Sequence, residues 1–138
     1  MNTAAHLRRA AQLLEQHGLY TGDDGYVGSD GSLDICAALY QGATHVLPDV
    51  FRTDATAAAE AITASTWAMA AIRAVYDTLG TEVTMPDQDG PDEVIDRVSH
   101  WAATPPFRQT QPPTRTEVMG RLLRTADTLD QQAITAAA

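Results

Sequence analysis

The chain has 138 residues, 44% hydrophobic and 20% charged, which suits one ordinary globular domain with a real core rather than a disordered chain. A net charge of −9 and a sequence pI near 4.6 repel phosphate backbones and anionic lipid, arguing against direct nucleic-acid binding and against membrane association. No apolar run approaches the roughly 20 residues that span a bilayer, and the start, Met1-Asn2-Thr3-Ala4-Ala5-His6, lacks the basic-then-apolar order of a signal peptide. A cytoplasmic protein is expected.

The first helix is marked by Leu7, Ala10, Ala11 and Leu14 at helical spacing. Asn2 or Thr3 can cap its start, and Gly18 can end it with positive φ. The stretch 22–32 is dense in Gly and Asp, and Asp30-Gly31 predicts a tight β-hairpin between short strands at 25–28 and 32–35. Asp23, Asp24 and Asp30 do not fall in the order of a calcium loop, so they read as turn residues. Asp34 or Ser32 then caps a second helix over about 35–46, stopped by Pro48.

A single long helix is predicted over 55–79, capped by Thr53 or Asp54 and ended at Gly80. Its stripe is Ile62, Met69, Ile72, Tyr76 and Leu79, with Ser65 filling a gap, while Trp67 lies away from it. Arg73 and Asp77 are spaced as an i,i+4 ion pair. The segment Thr81 to Gly90 is a polar connector, whose Asp87-Gln88-Asp89-Gly90 fails as a calcium loop because Met85 holds the first ligand position. Pro91, Asp92 and Glu93 open a helix over about 91–103 that buries Val94, Ile95, Val98 and Trp101. Its other face carries Asp92, Asp96 and His100 in an i,i+4 row.

Pro105-Pro106-Phe107 and Pro112-Pro113 bracket an extended connector anchored by Phe107. The last helix begins with a capping box, Thr114 with Glu117, and runs to about 131. The expected fold is thus mainly α: a single-domain bundle of about five helices over 1–132, a small β-hairpin after the first helix, and a flexible tail over 133–138.

Several short segments carry a likeness to a known family: Leu7-Arg8-Arg9-Ala10-Ala11-Gln12-Leu13-Leu14, Asp30-Gly31 followed by Cys36-Ala37-Ala38-Leu39, and Ile72-Arg73-Ala74. Val98-Ser99-His100-Trp101 and Thr116-Glu117-Val118 with Leu122-Leu123 complete the set. In this order they resemble a small uncharacterised family, a domain of unknown function found in actinobacteria and their phages. Such an origin agrees with nine arginines and no lysine in an alanine-rich chain, the codon bias of a GC-rich genome. The likeness departs after the cysteine, where the family's glycine is replaced by Ala38 or Leu39, and after the tryptophan, where Ala102-Ala103 stands for an Asn-Asp pair. It implies a fold and a host range, and no activity.

No catalytic motif is present, and no catalytic residue is assigned. The single Cys36 excludes an internal disulfide and reads as a buried, inert thiol, because no basic residue adjoins it to lower its pKa. His6, His17, His45 and His100 lack ligand spacing, so neither a metal nor a cofactor is expected. The favoured role is a non-catalytic interaction or regulatory accessory protein, binding a protein partner or a second copy through Trp67, Phe107, Arg121 and Arg124. The alternative is a small-molecule-binding protein or small enzyme of a biosynthetic cluster, with Cys36, Tyr40, Arg73, Tyr76, Asp96, His100 and Trp101 around a pocket between helices. A third reading is an acidic mimic of nucleic acid, built on the carboxylates of the connectors.

Overall fold

The computed structural model describes residues 2–80, 90–106 and 108–137; the expectations for 81–89 and for Phe107 lie outside the described residues. The first helix, α1 (Thr3–His17), forms as its pattern predicts. The Asn2 side chain accepts the Ala5 N–H at 2.7 Å, and the Leu7, Ala10, Ala11, Leu14 stripe is buried. Gly18, at φ 90°, ends it by donating its N–H to the Leu14 carbonyl.

The hairpin expected next does not form. Asp30-Gly31 does turn the chain, with Gly31 at φ 86° and its N–H on the Gly28 carbonyl at 3.0 Å. The returning segment, however, has only 32–34 to offer before helix α2 (Ile35–Thr44) begins. Leu33 makes isolated bridges to Leu19 on one side and Val27 on the other, and no strand forms among the described residues. Tyr20 donates to the Leu33 carbonyl and Asp34 to the Tyr26 carbonyl, both at 2.8 Å. This double stitching ties the loop 19–34 to the start of α2.

In α2, Ile35 to Tyr40 are buried without interruption, together with Gly42 and Ala43. The helix is central, packing on α1 and on two later helices. Gly42 is required where α1 crosses it: a Cβ there would lie 2.7 Å from the His6 carbonyl oxygen and 2.9 Å from the Ala10 nitrogen. Arg9 fastens the crossing by donating to the Gly42 carbonyl at 2.6 Å. His45, in the left-handed region, ends the helix.

A short helix, α3 (Val50–Thr53), plants Phe51 in the core. The long central helix is in fact two, α4 (Ala55–Ala64) and α5 (Thr66–Tyr76), so the described residues hold seven helices rather than about five. Ser65 causes the break. It adopts an extended conformation, and its hydroxyl accepts the Ala68 N–H at 3.1 Å, substituting a side-chain cap for the continued ladder. Arg73 and Asp77 do not form the expected ion pair; both line a groove shared with α1 and the last helix.

Helix α6 (Pro91–Ala103) has the predicted bounds, with Pro91 in its first turn and Val94, Ile95 and Val98 buried. Helix α7 (Arg115–Ala137) opens with the reciprocal capping box, Glu117 N–H to Thr114 Oγ1 at 3.1 Å and Thr114 N–H to Glu117 Oε1 at 3.0 Å. It continues through Ala137, past the end expected near 131, so the segment drawn as a tail is helical to that point. Arg8 joins α1 to α7 through Asp127 at 2.8 Å and Asp130 at 2.7 Å. Among the described residues no helix is long and apolar enough to cross a membrane.

The α1–α2 crossing gives a direct test. Gly42→Ala should destabilise the protein by roughly 1–3 kcal/mol, since backbone rather than a pliable side chain meets the new methyl. Urea unfolding monitored by circular dichroism measures this; an unchanged midpoint would mean that the helices are not in backbone contact.

Candidate ligand-binding cleft

Asp34 stands where the loop 19–34, α2 and α6 meet. As the N-cap of α2 its Oδ1 accepts the Cys36 N–H at 2.7 Å, and it also receives the Ser99 hydroxyl from α6 at 3.1 Å. The residue is only 8% exposed. Burial disfavours the charged carboxylate and pushes its pKa up to about 6, against the opposing pull of hydrogen bonds from Cys36, Ser99 and Ala37. Beside it Cys36 donates its thiol to the Ile95 carbonyl at 3.6 Å and lies 3.3 Å from Ser99 Oγ. Burial, then the neighbouring Asp34 charge, raises the Cys36 thiol well above its ordinary range. The thiol is a buried, packed group and not an activated nucleophile.

The Asp34 carboxylate faces a cleft that runs along α6. One half, about 520 Å³, lies between the loop and the later turns of α6, and takes in Tyr26, Asp34, Asp96, Ser99 and His100. The other, about 700 Å³, lies between α4 and the start of α6, with Ala59, Glu60, Asp92 and Asp96 on its walls. Tyr26, Ala55 and Asp96 line both. Both volumes fall in the range of small-molecule sites.

Tyr26 is held by its ring against Phe51, centroids 5.9 Å apart. Burial first, and then the charges of Cys36, Asp34, Asp96 and Asp92, keep its phenol protonated well above the usual pKa. Asp96 is raised by burial, then by Asp92 and Glu93 on its own helix. The cleft therefore presents a hydroxyl that stays protonated, a recessed carboxylate and a second carboxylate at the junction of its halves.

Of the residues assigned from sequence to a pocket, three gather here: Asp96 and His100 on the wall, and Cys36 beneath Asp34 and Ser99. The others stand elsewhere. Tyr40 packs on Phe51 at 4.8 Å and Tyr76 is buried in the core. Arg73 lines the separate groove beside α1 and α7. Trp101 is half-buried under Arg121, whose guanidinium carbon lies 5.2 Å from its ring centre. Arg121 also donates to the Thr78 carbonyl at 2.9 Å, which makes it a packing residue more than a free contact. Among the expected contact residues, Trp67 and Arg124 are exposed and Phe107 lies outside the described residues.

Sequence reasoning missed Tyr26, Asp34 and Ser99 as site residues. A signal existed for Asp34: an acidic cap leading into Ile35-Cys36-Ala37-Ala38-Leu39-Tyr40, apolar on every side, must be buried with its helix. Among the described residues, no three His, Cys, Asp or Glu side chains gather in a way that could hold a metal ion.

Two of the segments that carry the family likeness, around Cys36 and around Ser99, meet at this cluster. Compared with known families, the sequence matches the Family of unknown function (DUF6197) over residues 1–128. The chain belongs to this family. No curated protein and no solved structure matches it. The DUF6197 match takes in all of α1 to α6 and the first part of α7, so the whole cleft lies inside the family region.

The raised Asp34 pKa has a signed consequence. The folded state binds this proton more tightly than the unfolded chain does, so Asp34 favours folding below its ordinary value of 3.8 and loses that contribution as pH rises through about 6. Asp34→Asn keeps the cap and the Oδ1 acceptor but removes the charge. The variant should be more stable than wild type at neutral pH, by up to about 3 kcal/mol, and the gap should close toward pH 4. Parallel stability–pH profiles for the two proteins would show that this carboxyl is not desolvated.

Proposed function

We propose that this DUF6197 protein is a non-catalytic binding protein whose ligand is a small organic cation, held in the cleft along α6. The observation that carries the reading is the convergence of Tyr26, Asp34, Asp96 and Ser99 on one concavity of ligand size. Desolvated carboxylates favour a partner that restores their lost interactions, and a positively charged donor group does so best. Asp23, Glu60 and Asp92 add negative charge along the same walls, against the guanidinium of Arg97. The Tyr26 hydroxyl supplies a polar contact suited to orienting the ligand, and Ala55 and Ala59 leave room for an apolar body.

This favours the small-molecule reading over the protein-partner reading. The latter draws on one observation, the exposed apolar side chains of Trp67 on α5 and of Leu123 and Ile134 on α7. A regulatory accessory role in the cytoplasm of an actinobacterium, or in one of its phages, fits both readings and belongs to this proposal. Its supports are the family likeness, the lysine-free composition and the acidity.

The test is a panel of primary amines and guanidines set against carboxylate and neutral analogues of matched size, read by thermal shift and calorimetry at low and moderate salt. Cationic members should raise Tm and bind with affinity that falls as salt rises. Tyr26→Phe and Asp96→Asn should each weaken binding by about tenfold, the loss of one good polar contact in a desolvated site. Equal binding of neutral analogues, or affinity indifferent to Asp96→Asn, would overturn the assignment.

A further inference from the structure

The break between α4 and α5 lies against a buried histidine that the cleft does not use. His6, in the early turns of α1, is 1% exposed, and both of its ring nitrogens lack a hydrogen-bond partner. Buried polar groups are seldom left in this state, and each instance calls for a reason. The ring contacts Trp67, with centroids 5.9 Å apart and planes tilted by 45°. Trp67 itself is 53% exposed and stands two positions beyond Ser65, where the chain leaves α4 and is recapped as α5. Its ring is an aromatic neighbour of His6 contributed by α5.

The surroundings of His6 are arranged for a neutral ring. Arg9 acts on it from its own helix and His45 from the end of α2. From α5 it meets Trp67, which carries no charge, and α2 brings the backbone of Gly42 close to the His6 carbonyl. Among the described residues, every charge that acts on the ring opposes its protonation. Burial, then Arg9, then His45, lowers the His6 pKa below its ordinary 6.5. Among the described residues an imidazolium here finds no anionic acceptor, and the attraction of the Trp67 ring face for a cation is weaker than the loss of hydration on burying an unpaired charge.

The element on the far side of Ser65 is loosely seated. Within α4 the buried residues are Ala58 and Ile62, and the helix enters and leaves through extended residues, Asp54 and Ser65. The same α4 forms one wall of the cleft, through Ala59 and Glu60.

We propose that His6 and Trp67 form a proton-operated latch on the α4–α5 junction: protonation of His6 drives its ring out from beneath Trp67, frees the junction at Ser65 and loosens α4. For the consequence at the cleft this rests on the ligand-binding reading. The latch itself needs no ligand, so the two fail separately.

The test uses the full chain carrying Trp101→Phe, which leaves Trp67 as the remaining tryptophan of the two. Trp67 emission, the His6 ring signals in NMR, far-ultraviolet circular dichroism and amide exchange over α4 are followed from neutral to mildly acid pH. The expected result is a step in Trp67 emission that coincides with His6 titration below pH 6.5, while helicity is retained. Exchange over 55–64, corrected for its intrinsic pH dependence, should rise by about tenfold or more across the same step. His6→Leu should abolish the emission step; should that variant fail to fold, the coincidence of ring titration and emission in the parent protein decides. The latch is overturned by flat Trp67 emission through the His6 titration, by a step that persists in His6→Leu, by a step that coincides with loss of helicity, or by unchanged α4 exchange.

Discussion

A carboxylate buried at the start of the most deeply buried helix is the constraint on which the rest of the molecule turns. Asp34 must be inside because α2 is inside: Ile35 to Tyr40 have no exposed face, and a helix buried so completely takes its capping residue with it. Once inside, the carboxylate needs donors, and these fix its neighbours. The Cys36 N–H comes from α2 itself, the Ser99 hydroxyl from α6, and the Asp34 N–H is tied to the Tyr26 carbonyl of the preceding loop. One residue, through its carboxylate and its backbone N–H, thus sets the register between a loop and two helices. The cleft along α6 is the space left between them.

The parts of the fold legible in the sequence are those governed by local chemistry. Asn2, Gly18, Pro91 and the Thr114–Glu117 pair act on neighbours within four residues, and α1, α6 and the start of α7 follow from them. The parts that were not legible are competitions between local signals. Asp30-Gly31 is a good turn, but the strand after it must yield to α2 at Ile35, so Leu33 bridges two segments and extends neither. Ser65 lies inside a long apolar stripe at helical spacing, and nothing in the periodicity distinguishes a serine that continues a helix from one that recaps it.

The site divides along the same line. Asp96 and His100 could be placed on one face because an i,i+4 row needs only the helix itself. Tyr26 and Asp34 could not be joined to that face, because their position depends on how the loop 19–34 is stitched through Leu33. Tyr40 and Tyr76 show the reverse error. Aromatics at helical spacing were assigned to a pocket, and the core claimed both. Trp101 and Arg121 are likewise paired with each other, which accounts for an arginine that sequence alone presents as an outward contact.

Titration of the Asp34 side-chain carboxyl by carbon-13 NMR is the decisive measurement, because burial, capping and the cleft all meet at that group. A midpoint near 6 is expected, with the Cys36 amide and the Ser99 and Tyr26 resonances moving along the same curve. A midpoint at the ordinary carboxylate value of 3.8, with those three signals unmoved, would place Asp34 in solvent and contradict its burial.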